Sequence, residues 1–170
     1  MTRIVIVGDT HIRRWEEVHP ELRRYVEGAD IAVHCGDWVH MDVVQGFREA
    51  ARRAVVVHGN SDPVELRRAL PYRELIEVDG VRIGVIHPAW GGPEFEPEAL
   101  LPDFAPEQVG AVDVIMYGHL HVPVNELRDG VRFLNPGQGY PSFLVPGTLA
   151  VLTVEDGVAE AEIVEFAPAQ

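Results

Sequence analysis

The first half of the chain alternates apolar runs with amphipathic segments. The apolar runs are short and rich in Val, Ile and Ala, which predicts buried strands; they cover residues 3–7, 30–35 and 54–57. The segments between and after them place apolar residues at helical spacing; they predict helices over residues 20–28, 42–53 and 63–70. This β-α-β-α-β order predicts parallel strands that are covered on their faces.

The second half alternates apolar and polar positions, as hairpin strands do. Asp-Gly pairs, which favour tight two-residue turns, interrupt three of these segments. The predicted hairpins cover residues 73–87, 124–135 and 148–166, and another buried strand covers residues 112–117. Nine or ten strands are too many for one comfortable sheet. We therefore expect a single α/β domain over residues 1–170, built as a two-sheet sandwich with flanking helices.

The pattern fails between residues 88 and 111, a segment that contains five prolines. A connection of this length is often functional. The segment favours a surface loop with a short helix near Glu98–Leu101, and a substrate lid is the alternative.

Composition narrows the class of partner. The chain of 170 residues has 27 acidic and 14 basic residues, a net charge of −13, and every basic residue is arginine. Stable nucleic-acid binding and attachment to an anionic membrane are therefore not expected, because both need a basic surface. A small phosphorylated ligand stays compatible, because a bound metal supplies local positive charge. A homo-oligomer is left open.

Cysteine content and the N-terminus bear on the compartment. Cys35 is the sole cysteine, so no disulfide forms within the chain, and its apolar neighbours indicate a buried thiol. The apolar run near the N-terminus is too short for a signal peptide, and no later run is long enough to span a bilayer. We expect a cytoplasmic protein.

Polar side chains follow five of the predicted strands. Each is Asp, His or Asn, and they are Asp9 and His11, Asp37, Asn60, His87, and His119 with His121. Taken singly, each has a structural explanation, such as a helix cap or a packed strand end. Taken together they favour a site, because ligands bind at the carboxyl ends of parallel strands. Residues two apart in extended chain also point to the same side.

These side chains suit divalent metal ions. Asp, His and Asn without Cys favour manganese first, with iron, zinc, nickel and cobalt as alternatives. Seven candidate ligands exceed the needs of one ion. With one carboxylate shared, they suit two ions about 3.5–4 Å apart.

The motifs "GDTH", "GD", "GNSD", a strand-end His and "GHLH", in this order, resemble the calcineurin-like metallophosphoesterase superfamily. The chain is most similar to its small single-domain phosphodiesterase branch in bacteria and archaea, from residue 4 to about residue 140, including "LNPGQ" at 134–138. The resemblance implies a four-layer α/β/β/α fold. It also implies a dinuclear phosphodiesterase, in which a hydroxide shared by the two ions attacks a small phosphodiester or nucleotide-type substrate.

The resemblance implies a role for each candidate. One ion would be bound by Asp9, His11 and His121. The other would be bound by Asn60, His87 and His119, and Asp37 would bridge both. Catalytic roles fall to Asp37, Asn60 and His119. Asp62 would orient Asn60 or another ligand, and Gly59 would let the backbone turn sharply.

Two of the motifs depart from the family pattern. Ser61 stands where many members carry a histidine that contacts the phosphate or protonates the leaving group, which favours diesters over monoesters. Pro88 and Ala89 replace the family's usual residues after His87. The alternatives are a phosphomonoesterase or nucleotide pyrophosphatase, and a non-catalytic metal-binding scaffold such as a retromer subunit similar to this branch.

Four other side chains lie outside the predicted ligand set. His40 is a candidate for substrate contact because it lies close to Asp37. His34 is expected to serve packing. Trp38 and Trp90 are also expected to pack, with lining of the pocket as the alternative.

Overall fold

A computed structural model describes residues 1–88, 90, 92 and 94–167. Its ten strands form two five-stranded sheets, and their bounds are β1 Thr2–Val7, β2 Ile31–His34, β3 Ala54–Val56, β4 Arg73–Val78, β5 Val81–Ile86, β6 Val114–Tyr117, β7 Pro123–Arg128, β8 Val131–Pro136, β9 Gly147–Glu155 and β10 Val158–Phe166. The α-helices are α1 Pro20–Gly28, α2 Met41–Ala50, α3 Val64–Ala69 and α4 Pro106–Val109, and 3-10 helices cover Trp15–Glu17 and Pro97–Phe104. Ala89, one of the departures from the family pattern, lies outside the described residues.

The first sheet has the order β10-β9-β1-β2-β3, and β1, β2 and β3 run parallel as predicted. Helix α2 ends at Ala50, three residues before the predicted end. The reason is strand pairing: the carbonyl of Arg53 accepts a hydrogen bond from the amide of Ala32 at 2.8 Å. The backbone at Arg53 therefore already pairs with β2, as the following strand β3 does, and cannot continue the helix.

The second sheet has the order β4-β5-β6-β8-β7, with β5, β6 and β8 parallel. All three predicted Asp-Gly hairpins are present, as β4-β5, β7-β8 and β9-β10. In the first of them, Asp79 and Gly80 have φ of 47° and 81°. Positive φ at both central residues matches the twist of the paired strands.

The two sheets pack face to face. Their shared core includes Ile6 and Val33 from the first sheet and Ile83 and Met116 from the second. On the outer face of the first sheet, α1 and α2 contribute side chains such as Phe47. The four-layer α/β/β/α architecture is thus confirmed.

The outermost layer on the second sheet is thin. Leu100 and Phe104 of the 3-10 helix pack there on Ile115 and Phe133. The sequence predicts a short helix in this region, and Pro102 inside it removes a backbone donor that an α-helix needs. Within the described residues, no helix is both long and apolar enough to cross a membrane.

Candidate metal centre

The five loops that follow β1, β2, β3, β5 and β6 meet where the two sheets adjoin. A contact between the sheets shows this directly: Nδ1 of His87, after β5, lies 2.8 Å from the carbonyl oxygen of Cys35, after β2. The amide of His119, after β6, donates to Oδ2 of Asp9, after β1, at 2.9 Å. Loops at the carboxyl ends of strands from both sheets therefore contribute to one site.

Left-handed backbone is concentrated in these loops. Among the described residues, five of the seven candidate ligands have positive φ, namely Asp9, His11, Asp37, His119 and His121. The other non-glycine positions of this kind are the three hairpin aspartates and Val39. Such conformations are costly and persist where surrounding contacts impose them, which is common at functional sites.

One cluster joins Asp9, His11, Asp37 and His121, whose ligand atoms all lie within 4.8 Å of one another. Nε2 of His11 is 3.3 Å from Nε2 of His121, and Nε2 of His121 is 3.3 Å from Oδ1 of Asp9. Oδ1 of Asp9 is buried and, among the residues that the structure describes, has no hydrogen-bond partner. A buried carboxylate oxygen without a partner fits a cation.

A second cluster is built around Asn60. Its Oδ1 is 2.8 Å from Nε2 of His87 and 3.0 Å from Nδ1 of His119. The other ring nitrogen of each histidine faces a backbone carbonyl: Cys35 for His87, and Gly92 for His119 at 3.2 Å. A carbonyl only accepts hydrogen bonds, so those nitrogens carry the hydrogen in the neutral rings.

The donor set at Asn60 therefore fits a metal ion. The nitrogens that face Asn60 present lone pairs, and Oδ1 of Asn60 presents lone pairs to them. Acceptor atoms this close to one another repel, and a cation that they bind together offsets the repulsion. Backbone carbonyls that hold the far nitrogen of ligating histidines are also usual around protein metal sites.

Asp37 lies between the two clusters. Its Oδ2 is 3.5 Å from Nε2 of His11, and its Oδ1 is 3.5 Å from Nε2 of His87. Oδ1 also accepts a hydrogen bond from the amide of Ser61 at 2.8 Å. One carboxylate oxygen thus faces each cluster, an arrangement in which a carboxylate can bridge two ions.

The electrostatics of the first cluster favour an ionised Asp9. Burial alone would raise the pKa of its carboxyl, but the neighbouring imidazoles of His11, His121 and His87 hold that pKa well below its usual value. The nearby carboxylate of Asp9 raises the pKa of His121 in return.

Two glycines allow the backbone to approach the candidate ligands closely. A Cβ at Gly59 would overlap Oδ1 and the amide nitrogen of Asp37, and a Cβ at Gly118 would lie 2.8 Å from Nδ1 of His87. Neither glycine has φ in the left-handed range. The sequence-based explanation of Gly59 as a residue for a sharp turn is therefore wrong in its cause, because what excludes a side chain is the carboxylate of Asp37.

Asp62 binds the loop that carries Asp37. Its Oδ2 accepts hydrogen bonds from the amides of Asp37 and Gly59, at 3.2 and 2.7 Å. Its Oδ1 accepts from the amides of Trp38 and Val39, both at 2.7 Å. This buried carboxylate holds the left-handed residues Asp37 and Val39 in place. The candidate ligand that Asp62 orients is therefore Asp37, on the neighbouring loop.

His34 contributes more than packing, which is all that the sequence suggested. Its ring is fully buried and stacks on Trp38, with the ring centroids 3.4 Å apart. Its Nδ1 accepts a hydrogen bond from the amide of Gly36, and its Nε2 lies 3.1 Å from the hydroxyl of Thr10. Burial lowers the pKa of His34, so the neutral ring supports the backbone next to Asp9 and Asp37. No local pattern indicates this role.

Neither cluster includes His40, Trp38 or Trp90. His40 is exposed, and its Nδ1 accepts from the amide of Asp42 at the start of α2. Trp38 is fully buried, and its Nε1 donates to the carbonyl of Val57. Trp90 is about half exposed, and its Nε1 donates to Asp103.

Comparisons with known proteins point to one family. A family model described as the calcineurin-like phosphoesterase superfamily domain matches residues 2–157. A probable metallophosphoesterase of Methanocaldococcus jannaschii is 30% identical over 165 residues, which cover 95% of this chain and 80% of that protein. A phosphodiesterase of the same organism is 24% identical over 152 residues, which cover 80% of this chain and 83% of that protein.

A solved structure agrees with the fold. Vps29 from Entamoeba histolytica, in complex with zinc, superposes with a TM-score of 0.72 at 22% identity. The match covers 96% of this chain and 98% of that one. At this identity the likeness establishes the architecture alone.

Proposed function

Because this chain belongs to the calcineurin-like phosphoesterase superfamily, we propose that it hydrolyses phosphodiesters at a centre of two divalent metal ions. One observation carries the proposal: Asp37 directs one carboxylate oxygen towards each of two clusters of oxygen and nitrogen ligands. The relative named as a phosphodiesterase supports the choice of substrate class.

The proposed ligands divide as follows. Asp9, His11 and His121 hold one ion, Asn60, His87 and His119 hold the other, and Asp37 bridges them. Manganese is the first candidate, and iron, zinc, nickel and cobalt fit the same donors. Two such ions, when bound, make hydroxide available at neutral pH and offset the charge that builds on the phosphoryl group.

The protein's own residues keep the proposed ligands in the forms that bind cations. Asp9 stays ionised because its pKa is lowered, so two carboxylates, those of Asp9 and Asp37, face the ions. The far nitrogens of His87 and His119 face backbone carbonyls, which directs their lone pairs towards the ions. Within this proposal, catalytic roles are assigned to Asp37, Asn60 and His119.

Ser61 supports diesters over monoesters. At this position the chain offers no imidazole to protonate a leaving group. The backbone of Ser61 instead donates to Asp37 at 2.8 Å. A leaving group must then depart without help from residue 61, which favours alcohols of low pKa.

The test is hydrolysis of bis-p-nitrophenyl phosphate with and without Mn²⁺. We expect metal-dependent turnover by the natural chain and a fall in kcat/KM of about a hundredfold or more for Asp37→Asn. Asp156→Asn is the matched control, because it removes the same charge at an exposed hairpin tip and should leave the rate unchanged. Activity that survives Asp37→Asn would contradict the proposed site.

A metal-binding scaffold without turnover is the second candidate, because the cluster of Asp9, His11, Asp37 and His121 can hold an ion whether or not turnover follows. Protein that binds two ions but hydrolyses no member of a substrate panel would establish this alternative. The panel should contain 2′,3′-cyclic nucleotides, 3′,5′-cyclic nucleotides, glycerophosphodiesters and, as a monoester, p-nitrophenyl phosphate. We expect hydrolysis among the diesters and little for the monoester.

A further inference from the structure

A pocket of about 380 Å³ lies beside the first cluster of candidate ligands. Its walls include His11, Ile12, Pro20, Tyr140 and Pro141, with Glu17 also lining it. Building on the proposed function, we propose that this pocket receives one ester substituent of the phosphodiester, and that it selects a planar, apolar group such as an aryl ring.

The pocket and the metal centre share His11 as a common wall. Nε2 of His11 faces Asp37, 3.5 Å from its Oδ2, and so belongs to the metal side. The ring of His11 also meets the ring of Tyr140 edge-on, with the centroids 6.2 Å apart and the planes at 82°. A phosphoryl group held at the ions would therefore lie one imidazole ring away from the pocket.

The backbone holds the Tyr140 wall against the ligand Asp9. The amide of Gly139 donates to the carbonyl of Gly8 at 2.9 Å and to that of Asp9 at 3.3 Å. Nε2 of Gln138 donates to the carbonyl of Tyr140 at 2.9 Å. The position of Tyr140 is thus set by the same loop that presents Asp9, and such preorganisation lowers the entropy cost of binding.

The chemistry of the walls decides the type of substituent. Ile12, Pro20 and Pro141 offer aliphatic surface, and Tyr140 offers an aromatic ring. Glu17 already pairs with Arg14, with 3.0 Å between Arg14 Nη2 and its Oε1. A planar apolar group can bury both faces here, whereas a short alkyl group leaves most of the pocket to water.

Binding of two phosphonates tests the inference directly. Titration calorimetry on Mn²⁺-loaded protein compares phenylphosphonate with methylphosphonate, which share the anionic group and differ in the substituent. We expect the natural chain to bind phenylphosphonate about tenfold more tightly, as burial of one aromatic ring predicts. Tyr140→Ala should reduce this preference to about twofold or less and leave methylphosphonate binding unchanged.

Two further variants keep the test decisive. Ile12→Trp, which fills the pocket, should weaken phenylphosphonate binding and spare methylphosphonate. Tyr25→Ala removes a tyrosine at a distance, where it faces Arg3, and should keep the full preference. The inference is overturned if the natural chain shows no preference, if neither phosphonate binds, or if both pocket variants keep the preference.

The outcome is distinguishable from failure of the proposed function. The same preparations are assayed for hydrolysis of bis-p-nitrophenyl phosphate. Hydrolysis without any phenyl preference refutes the pocket alone. An intact preference, lost in Tyr140→Ala, without hydrolysis of any diester refutes the proposed turnover while the selectivity of the pocket stands.

Discussion

Replacing Asp62 by asparagine removes one acceptor from a site that uses both carboxylate oxygens. Each oxygen accepts two backbone amides, from Asp37 and Gly59 on one side and from Trp38 and Val39 on the other. Asparagine has nearly the same shape, so the change creates no cavity. Whichever way its amide group is turned, its NH₂ faces two backbone N–H donors.

The cost follows from those two donors. A buried N–H left without an acceptor costs about 1–3 kcal/mol. Because Asp62 is only 2% exposed, water does not replace the lost acceptor. We therefore expect Asp62→Asn to lower the free energy of unfolding by about 3 kcal/mol. Since the affected loop carries Asp37, metal affinity should also fall by about 10–100-fold.

Urea denaturation of metal-free protein measures the first effect, and titration with Mn²⁺ measures the second. Asp113→Asn is the control: its Oδ2 accepts a single amide, that of Arg82, and an asparagine carbonyl can replace it. It should change stability by less than about 0.5 kcal/mol. Loss of less than about 1 kcal/mol in Asp62→Asn, with unchanged metal affinity, would refute the reasoning.

Three further predictions follow from the site. Gly59→Ala should push the Asp37 carboxylate aside and lower bound metal, measured by elemental analysis, while far-ultraviolet circular dichroism stays unchanged; full metal content would contradict it. His34→Leu should lower the free energy of unfolding, measured in urea, by about 2–4 kcal/mol, because the amide of Gly36 loses its acceptor and the hydroxyl of Thr10 loses its donor. A change under about 0.5 kcal/mol would contradict this prediction. Metal affinity should fall as pH drops through the raised pKa of His121, because its proton competes with the ion while Asp9 stays ionised; calorimetry that detects no proton release would contradict it.

Much of the fold was accessible from local patterns. The Asp-Gly pairs predict all three hairpins because the turn requires left-handed backbone that these residues tolerate, and Asp79 and Gly80 adopt it. The candidate ligands were accessible because parallel strands direct their carboxyl ends to one edge. The ends of helices were harder to predict from the sequence. Helix α2 stops before Arg53 because the carbonyl of Arg53 pairs with the amide of Ala32, which is distant in the chain.

The supports of the site could not be read from the sequence. Asp62 binds the amides of a loop some 25 residues earlier in the chain, and His34 reaches Thr10. The carbonyl of Gly92 faces His119 from within the Pro-rich segment, whose pattern indicated a surface loop first. Such contacts depend on which loops become neighbours in the folded chain, and hydrophobic periodicity carries no information about them.

The central claim is that two ions at Asp9, His11, Asp37, Asn60, His87, His119 and His121 form one catalytic unit. A single Mn²⁺ titration, followed at once for bound metal and for hydrolysis of bis-p-nitrophenyl phosphate, tests it most directly. The account predicts two ions bound per chain at saturation, with activity that rises as the second ion binds. Full activity with one ion bound, or two bound ions without hydrolysis, would contradict it.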